Sequence, residues 1–163
     1  MKKIIFVLIS TLFYLNFSFA VDLKAKLIRV VSGDLIIVRI NGKIRKVTLC
    51  GIDAPENRKN RRIHYQAWKW KKRIWELRRL GREATRYLRS IISKNLILRN
   101  VHKDRYGRIL AYVFNAEDGL FINEEMIKNG YAFLVEYPIE EEYLEIFKEA
   151  LEYAKKNKKG VWK

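Results

Sequence analysis

The dipeptide Asn41-Gly42 stands between two β-branched runs, Leu35 to Ile40 and Ile44 to Leu49. Both central positions of a two-residue hairpin turn need positive φ, which asparagine and glycine tolerate, so the two runs fold back on each other as antiparallel strands. A third run, Leu27 to Val31, stops at Ser32-Gly33-Asp34 just before this hairpin, so residues 24–53 read as three strands. Leu96 to Val101 and Ile109 to Phe114 are strand-like as well and bracket the turn Lys103-Asp104-Arg105-Tyr106-Gly107.

Helical spacing appears elsewhere. From Gly81, the residues Ala84, Leu88 and Ile91 recur on one face. Ile122 to Lys128 reads as a short helix ended by Asn129-Gly130. Near the C-terminus Leu144, Phe147, Leu151 and Ala154 share a face; Glu140, Glu141 and Glu142 precede it and Lys155, Lys156 and Lys158 close it, as the helix dipole favours. A meander of strands with a helix before the fourth suits a small barrel with helices packed against it. At 163 residues and 49% hydrophobic, with no repeat and no Pro-, Gly- or Ser-rich linker, the chain has the core for one domain.

The first twenty residues read differently. Lys2 and Lys3 precede an apolar stretch, Ile4 to Leu15, and Ser18-Phe19-Ala20 offers small residues for cleavage. This is the pattern of a secretory signal peptide, with an uncleaved anchor as the alternative; the expected mature chain is 21–163, exported to the periplasm or secreted, without stable membrane insertion after cleavage. Without Lys2 and Lys3, 32 basic and 18 acidic side chains remain, a formal charge of +14. Such an excess calls for a polyanionic partner, either nucleic acid or an anionic membrane surface. Cys50 is the one cysteine, which excludes an intrachain disulfide, and neither His64 nor His102 has a zinc-ligand spacing.

Residues 57–80 carry ten Lys or Arg against one acid, interleaved with Tyr65, Trp68, Trp70 and Trp75. Two readings stay open. Lys and Arg can track a phosphate backbone while aromatic rings stack on unpaired bases. Alternatively a helix buries Trp68, Ile74 and Trp75 against the barrel and leaves the cations as its solvated face.

Asp34, Asp53 and Glu56 are the candidate chemistry. Asp34 follows a turn between strands and Asp53 ends the third strand, so the two can converge as a hard oxygen site for a cation. Pro55 favours an extended Ala54, whose carbonyl can face the same ion. Glu56, just beyond, stands where a general base would activate water. Arg108 is the candidate phosphate clamp, since a planar guanidinium pairs with two phosphate oxygens at once.

Val31-Ser32-Gly33-Asp34, Gly51-Ile52-Asp53-Ala54-Pro55-Glu56, Gly81-Arg82-Glu83-Ala84 and Asp104-Arg105-Tyr106-Gly107-Arg108-Ile109-Leu110-Ala111-Tyr112 resemble the ordered motifs of the thermonuclease (staphylococcal-nuclease-like) family. The likeness extends to Asn123-Glu124 and Gly160-Val161-Trp162. It implies a mainly β, α+β fold: an OB-type five-stranded barrel with three packed helices. It also implies Ca²⁺-dependent endonucleolysis of DNA and RNA leaving 3′-phosphates, with Mn²⁺ or Mg²⁺ open as the cation. By matching position Asp34 and Asp53 would ligate the metal with the Ala54 carbonyl, Glu56 would act as base, Arg108 would clamp phosphate, and Arg105 and Tyr106 would contact the substrate. The implied partner is nucleic acid, and the expected state is a monomer.

The pattern breaks at Thr48, where the family usually carries a second catalytic arginine. Ser32 replaces a common acid that supports the metal ligands from behind, Leu35 a common threonine after the first metal aspartate, and the 57–80 segment is longer than the usual loop. Lys46, which shares a strand face with Thr48, or one of Arg58, Arg61 and Arg62 would have to supply the missing contact. Two rivals to the enzyme follow: a nucleic-acid-binding barrel that has lost its chemistry, and a basic membrane-surface protein. Three acids facing a polyanion repel it unless a cation is bound, and that favours the enzyme.

Overall fold

The computed structural model describes residues 22–104, 107–135 and 139–163. The expected signal peptide, Arg105 and Tyr106 lie outside the described residues. The hairpin forms as its turn dictates: Asn41 and Gly42 have φ of 47° and 77°, and β2 (Leu35–Ile40) pairs with β3 (Lys43–Leu49) from Ile40↔Lys43 to Leu35↔Thr48. Strand β1 (Leu23–Val30) pairs with β2 on one side and with β5 (Asn95–Lys103) on the other. Strand β6 (Ile109–Asn115) pairs antiparallel with β5 and runs parallel to β3, which closes a five-stranded barrel in the order β1-β2-β3-β6-β5. Alternate residues fill its interior, among them Ile36, Val38, Val47, Leu49, Leu96, Leu98, Ala111 and Val113. The expected α+β barrel is therefore present.

Gly51 turns the chain out of β3. Its φ is +80°, and a Cβ there would come within 2.5 Å of the Phe147 ring, so only glycine satisfies both the backbone and the space. Asp53 therefore does not end the third strand as the sequence suggested: β3 stops at Leu49, and beyond the turn a separate strand β4 (Ile52–Asp53) pairs with β7 (Phe133–Leu134) and holds Asp53.

Among the described residues four helices accompany the barrel where the resemblance implied three: α1 (Arg61–Trp70), α2 (Ile74–Ile91), α3 (Ile122–Lys128) and α4 (Glu141–Lys156), followed by a 3-10 turn at Gly160–Trp162. The additional one, α1, lies in the basic segment. Helix α2 starts seven residues before the predicted Gly81, because Leu77, Leu80, Gly81, Ala84 and Leu88 continue one buried stripe straight through the glycine. Burial of Trp68 and Trp75 against the barrel is overturned: they are 77% and 61% exposed, on separate helices divided by Lys71, whose φ of 51° ends α1. Helix α1 docks instead through Ile63, Gln66 and Trp70, whose ring stacks 3.8 Å from that of Phe133. Buried Asn123 ties α3 to the barrel by accepting from the Val113 N–H at 2.9 Å and donating to the Cys50 carbonyl at 2.8 Å. Among the described residues no helix is long and apolar enough to cross a membrane.

Candidate active site

At the barrel end where the β1–β2 turn, the Asp53–Glu56 loop and the start of α1 meet, a cleft of about 510 Å³ opens. The turn reaches the loop because residue 33 has no side chain: a Cβ on Gly33 would lie 2.7 Å from the Ala54 Cβ and 2.8 Å from that of Ala84. Asp34 is thereby half-buried beside the loop, its Oδ1 accepting from Ser32 Oγ at 2.7 Å and its Oδ2 from the Ala54 N–H at 3.4 Å. Burial, and then repulsion from Asp53, push its carboxyl up to about 6.

The first turns of α1 hold the other two acids. Arg62 pairs with Asp53 at 2.8 Å and with Glu56 at 3.4 Å. Asn60 caps the helix, its Oδ1 accepting from the Ile63 N–H at 2.9 Å, while its amide donates to Glu56 Oε2 at 2.8 Å. Gln66 is fully buried and makes three contacts: Nε2 donates to Asp53 Oδ1 at 2.9 Å and to the Ala54 carbonyl at 3.0 Å, and Oε1 accepts from the Glu56 N–H at 2.9 Å. One amide thus fixes every residue from Asp53 to Glu56 except Pro55, which has no N–H to fix. Burial opposes the Arg62 charge, but Asp53, Asp34 and Glu56 outweigh it and hold the guanidinium above its ordinary range.

Lys46 and Thr48 line the same cleft, as the period of a strand requires, and Thr48 lies opposite both Leu35 and Leu110. Arg58 and Arg108 line it too. Arg108 is exposed and braced by Asp104, with Nε 2.6 Å from Oδ2 and its backbone N–H 2.9 Å from Oδ1. Arg61 does not line the cleft; it lies with Tyr65 and Trp68 on the outward face of α1. Buried Cys50 offers no nucleophile, since burial pushes its thiol up to about 11.

The residues that sequence reasoning missed are Gln66 and Asn60. A signal existed for both. Gln66 is the chain's one glutamine and falls on the stripe Ile63, Gln66, Trp70, and an asparagine three residues before an apolar helical position is a capping pattern.

A divalent cation can be tested against this donor set. Asp34 and Asp53 supply hard oxygens, and the mutual repulsion that raises Asp34 is what a cation would relieve. Among the described residues no three His, Cys, Asp or Glu side chains group to hold a metal. Two carboxylates and the Ala54 carbonyl would leave most of an ion's shell to water or substrate oxygen, and Gln66 donates to both Asp53 Oδ1 and that carbonyl.

Comparison with known proteins places these features in company. The family model described as staphylococcal nuclease homologue matches residues 46–163, a span that begins at Lys46, after Asp34. An uncharacterized protein of Methanocaldococcus jannaschii is 30% identical across 91% of this chain and 78% of its own length. A thermonuclease of Staphylococcus hyicus is 31% identical across 84% of this chain and 74% of its own. The endonuclease YhcR of Bacillus subtilis is 34% identical over 82% of this chain, which spans 11% of that much longer protein.

Proposed function

The chain belongs to the family of staphylococcal nuclease homologues, and from that premise we propose that it is an exported endonuclease that hydrolyses phosphodiester bonds of DNA, RNA or both with a divalent cation, Ca²⁺ foremost. The observation that carries this reading is the convergence of Asp34, Glu56, Arg62 and Arg108 on one cleft. Relatives named thermonuclease and endonuclease support it.

Asp34 and Asp53, with the Ala54 carbonyl, would hold the cation, which when bound supplies Lewis-acid charge neutralisation at the phosphate. Glu56 would take a proton from water. The water oxygen then bonds to phosphorus as the bond to the 5′ oxygen breaks; the leaving oxygen takes a proton from solvent, and the products are a 3′-phosphate and a 5′-hydroxyl. Arg108 would pair with the phosphoryl oxygens from one wall.

Arg62 would supply what Thr48 lacks. An entering phosphodiester competes with Asp53 and Glu56 for its guanidinium, and drawing it away leaves Glu56 open to water. Arg62→Ala should therefore lower kcat by about 10²–10³-fold, the loss typical of one preorganised donor. Arg62→Lys should restore only part, because an ammonium cannot pair bidentately.

One observation favours the binding-only reading: Thr48 carries no charge, and the ion pair with Arg62 occupies Glu56. The deciding experiment is the chain from Val21 mixed with single-stranded DNA in Ca²⁺ and in chelator, with Glu56→Gln alongside. Cleavage that needs metal and disappears in Glu56→Gln carries the enzyme. Tight, salt-sensitive binding without cleavage under any divalent cation sinks it in favour of a binding barrel.

A further inference from the structure

Beyond the cleft, α2 presents one exposed face made of Trp75, Arg78, Arg79, Arg82, Arg86 and Arg89, which fall within one turn-to-turn stripe at 100° per residue. A solvated helix face ordinarily mixes signs. This one does not: Glu76 pairs with Lys72, and Glu83 pairs with Arg79 on the stripe's flank. Arg78, Arg82 and Arg86 follow at i, i+4, and such like-charge neighbours destabilise an isolated helix.

Part of the stripe is one wall of a recess. Arg58, Arg82, Arg86 and Arg89 line a groove of about 540 Å³, floored by Asn57 and Thr85. No carboxylate pairs with any of the four among the described residues; the only side-chain contact of the set is from Arg89 to the Val30 carbonyl at 3.4 Å. The groove runs into the cleft, because Asn57 and Arg58 line both. Asn57 is a fixed threshold between them, its amide donating to the Val31 carbonyl and to Thr85 Oγ1, each at 3.0 Å.

We propose that this arginine groove is a second binding track for the substrate, taking the phosphate backbone of a polynucleotide strand as it passes from the cleft over Asn57 and Arg58 along α2. The inference rests on the nucleic-acid reading above and extends it to strand length. From Arg82 to Arg89 the helix rises about 10 Å; a B-form strand advances ~3.4 Å of helix axis per phosphate, and an unstacked single strand spaces its phosphates more widely. About two phosphates therefore fit beside the guanidinium groups. Continuity with the cleft selects a nucleic-acid strand over an anionic membrane, since a flat bilayer would not enter the threshold.

The test measures equilibrium binding of the full chain in chelator to a 16-nucleotide single strand and to a trinucleotide, across a salt series. Arg82→Ala/Arg86→Ala is compared with Arg82→Lys/Arg86→Lys. Loss of two phosphate contacts should make the slope of log K against log salt shallower by about 1.4. The preference for the long over the short strand should fall about tenfold, and the lysine pair should retain the slope. An unmoved slope, equal losses for both lengths, or a loss seen only on anionic vesicles would overturn the track. Trinucleotide cleavage in Ca²⁺, run in parallel, separates the two readings. If the wild type cuts but the slope does not move, the groove fails alone; if nothing cuts and the slope does move, the groove stands and the hydrolase falls.

Discussion

Asp34 sits where folding and the proposed cation site pull in opposite directions. Its carboxyl is raised from 3.8 to about 6, mainly by burial and then by Asp53. Between those values the folded chain holds more protons than the unfolded one, so this group's contribution to stability falls as pH rises through the window and stays lowered above it. Asp34→Asn in chelator should therefore melt higher than the wild type at pH 7, by about 1–3 kcal/mol, with the gap closing below pH 4. Thermal melts from pH 4 to 8 check this, and saturating Ca²⁺ should narrow the gap by stabilising only the wild type. Gln66 is the opposite case, a residue that supports its neighbours. Gln66→Leu would strand the Glu56 N–H and the Ala54 carbonyl in a buried site, costing about 2–4 kcal/mol, with kcat falling more than DNA affinity because Glu56 loses its anchor. Asp34, Asp53 and Glu56 were legible in the sequence because turn chemistry and motif order place them. The role of Gln66 was not, and Arg62 was one candidate cation beside Lys46, Arg58 and Arg61. Only once residues 61–70 are helical do positions four apart share a face and bring Arg62 and Gln66 to the same acids.

At the scale of elements, α1 and α2 form a clamp on the Pro55–Glu56 backbone, and Gly81 is the point of contact. A Cβ there would lie 2.5 Å from the Pro55 carbonyl oxygen and 2.6 Å from that of Glu56, so the helix can approach only at a glycine. Gly81→Ala should destabilise the chain by about 1–3 kcal/mol despite alanine's better helix propensity. Turnover should drop while affinity for a single strand in chelator holds, because the displaced backbone carries Glu56; denaturant melts and steady-state kinetics separate the effects. The same glycine explains why α2 was read seven residues short: alone in a periodic pattern, glycine looks like a boundary, and its packing partner lies 25 residues away. The hairpin strands β2 and β3 were read nearly to the residue because a hairpin turn fixes its own register, which also placed Lys46 and Thr48 together on the cleft side, whereas β1 begins at Leu23, four residues before the predicted Leu27. The tryptophans misled for a physical reason. Periodicity can mark an apolar stripe but cannot reveal that Lys71 interrupts it, leaving Trp70 half-buried against Phe133 while Trp68 and Trp75 face outward.

For the whole molecule the net charge understates the polarity. Residues 57–92 carry thirteen Lys or Arg against Glu76 and Glu83, whereas residues 116–152 carry eleven of the chain's 18 acids and only two lysines. The first set includes α1, α2 and the groove; the second includes α3 and most of α4. A polyanion is therefore steered by where the charge lies more than by its sum, since the local field at a cleft governs encounter. Two triple variants change the total by three in opposite directions and test this. Glu145→Gln/Glu149→Gln/Glu152→Gln makes the chain more basic on α4, and stopped-flow association with a labelled single strand should change by less than about twofold. Arg61→Gln/Arg78→Gln/Arg79→Gln should slow association about tenfold at low salt, and the deficit should fade by 0.5 M salt as the Debye length shrinks to a few ångströms. If the two triples instead moved the rate equally in opposite directions, overall charge alone would control encounter. The segregation of acids from bases would then have no bearing on how the chain meets its substrate.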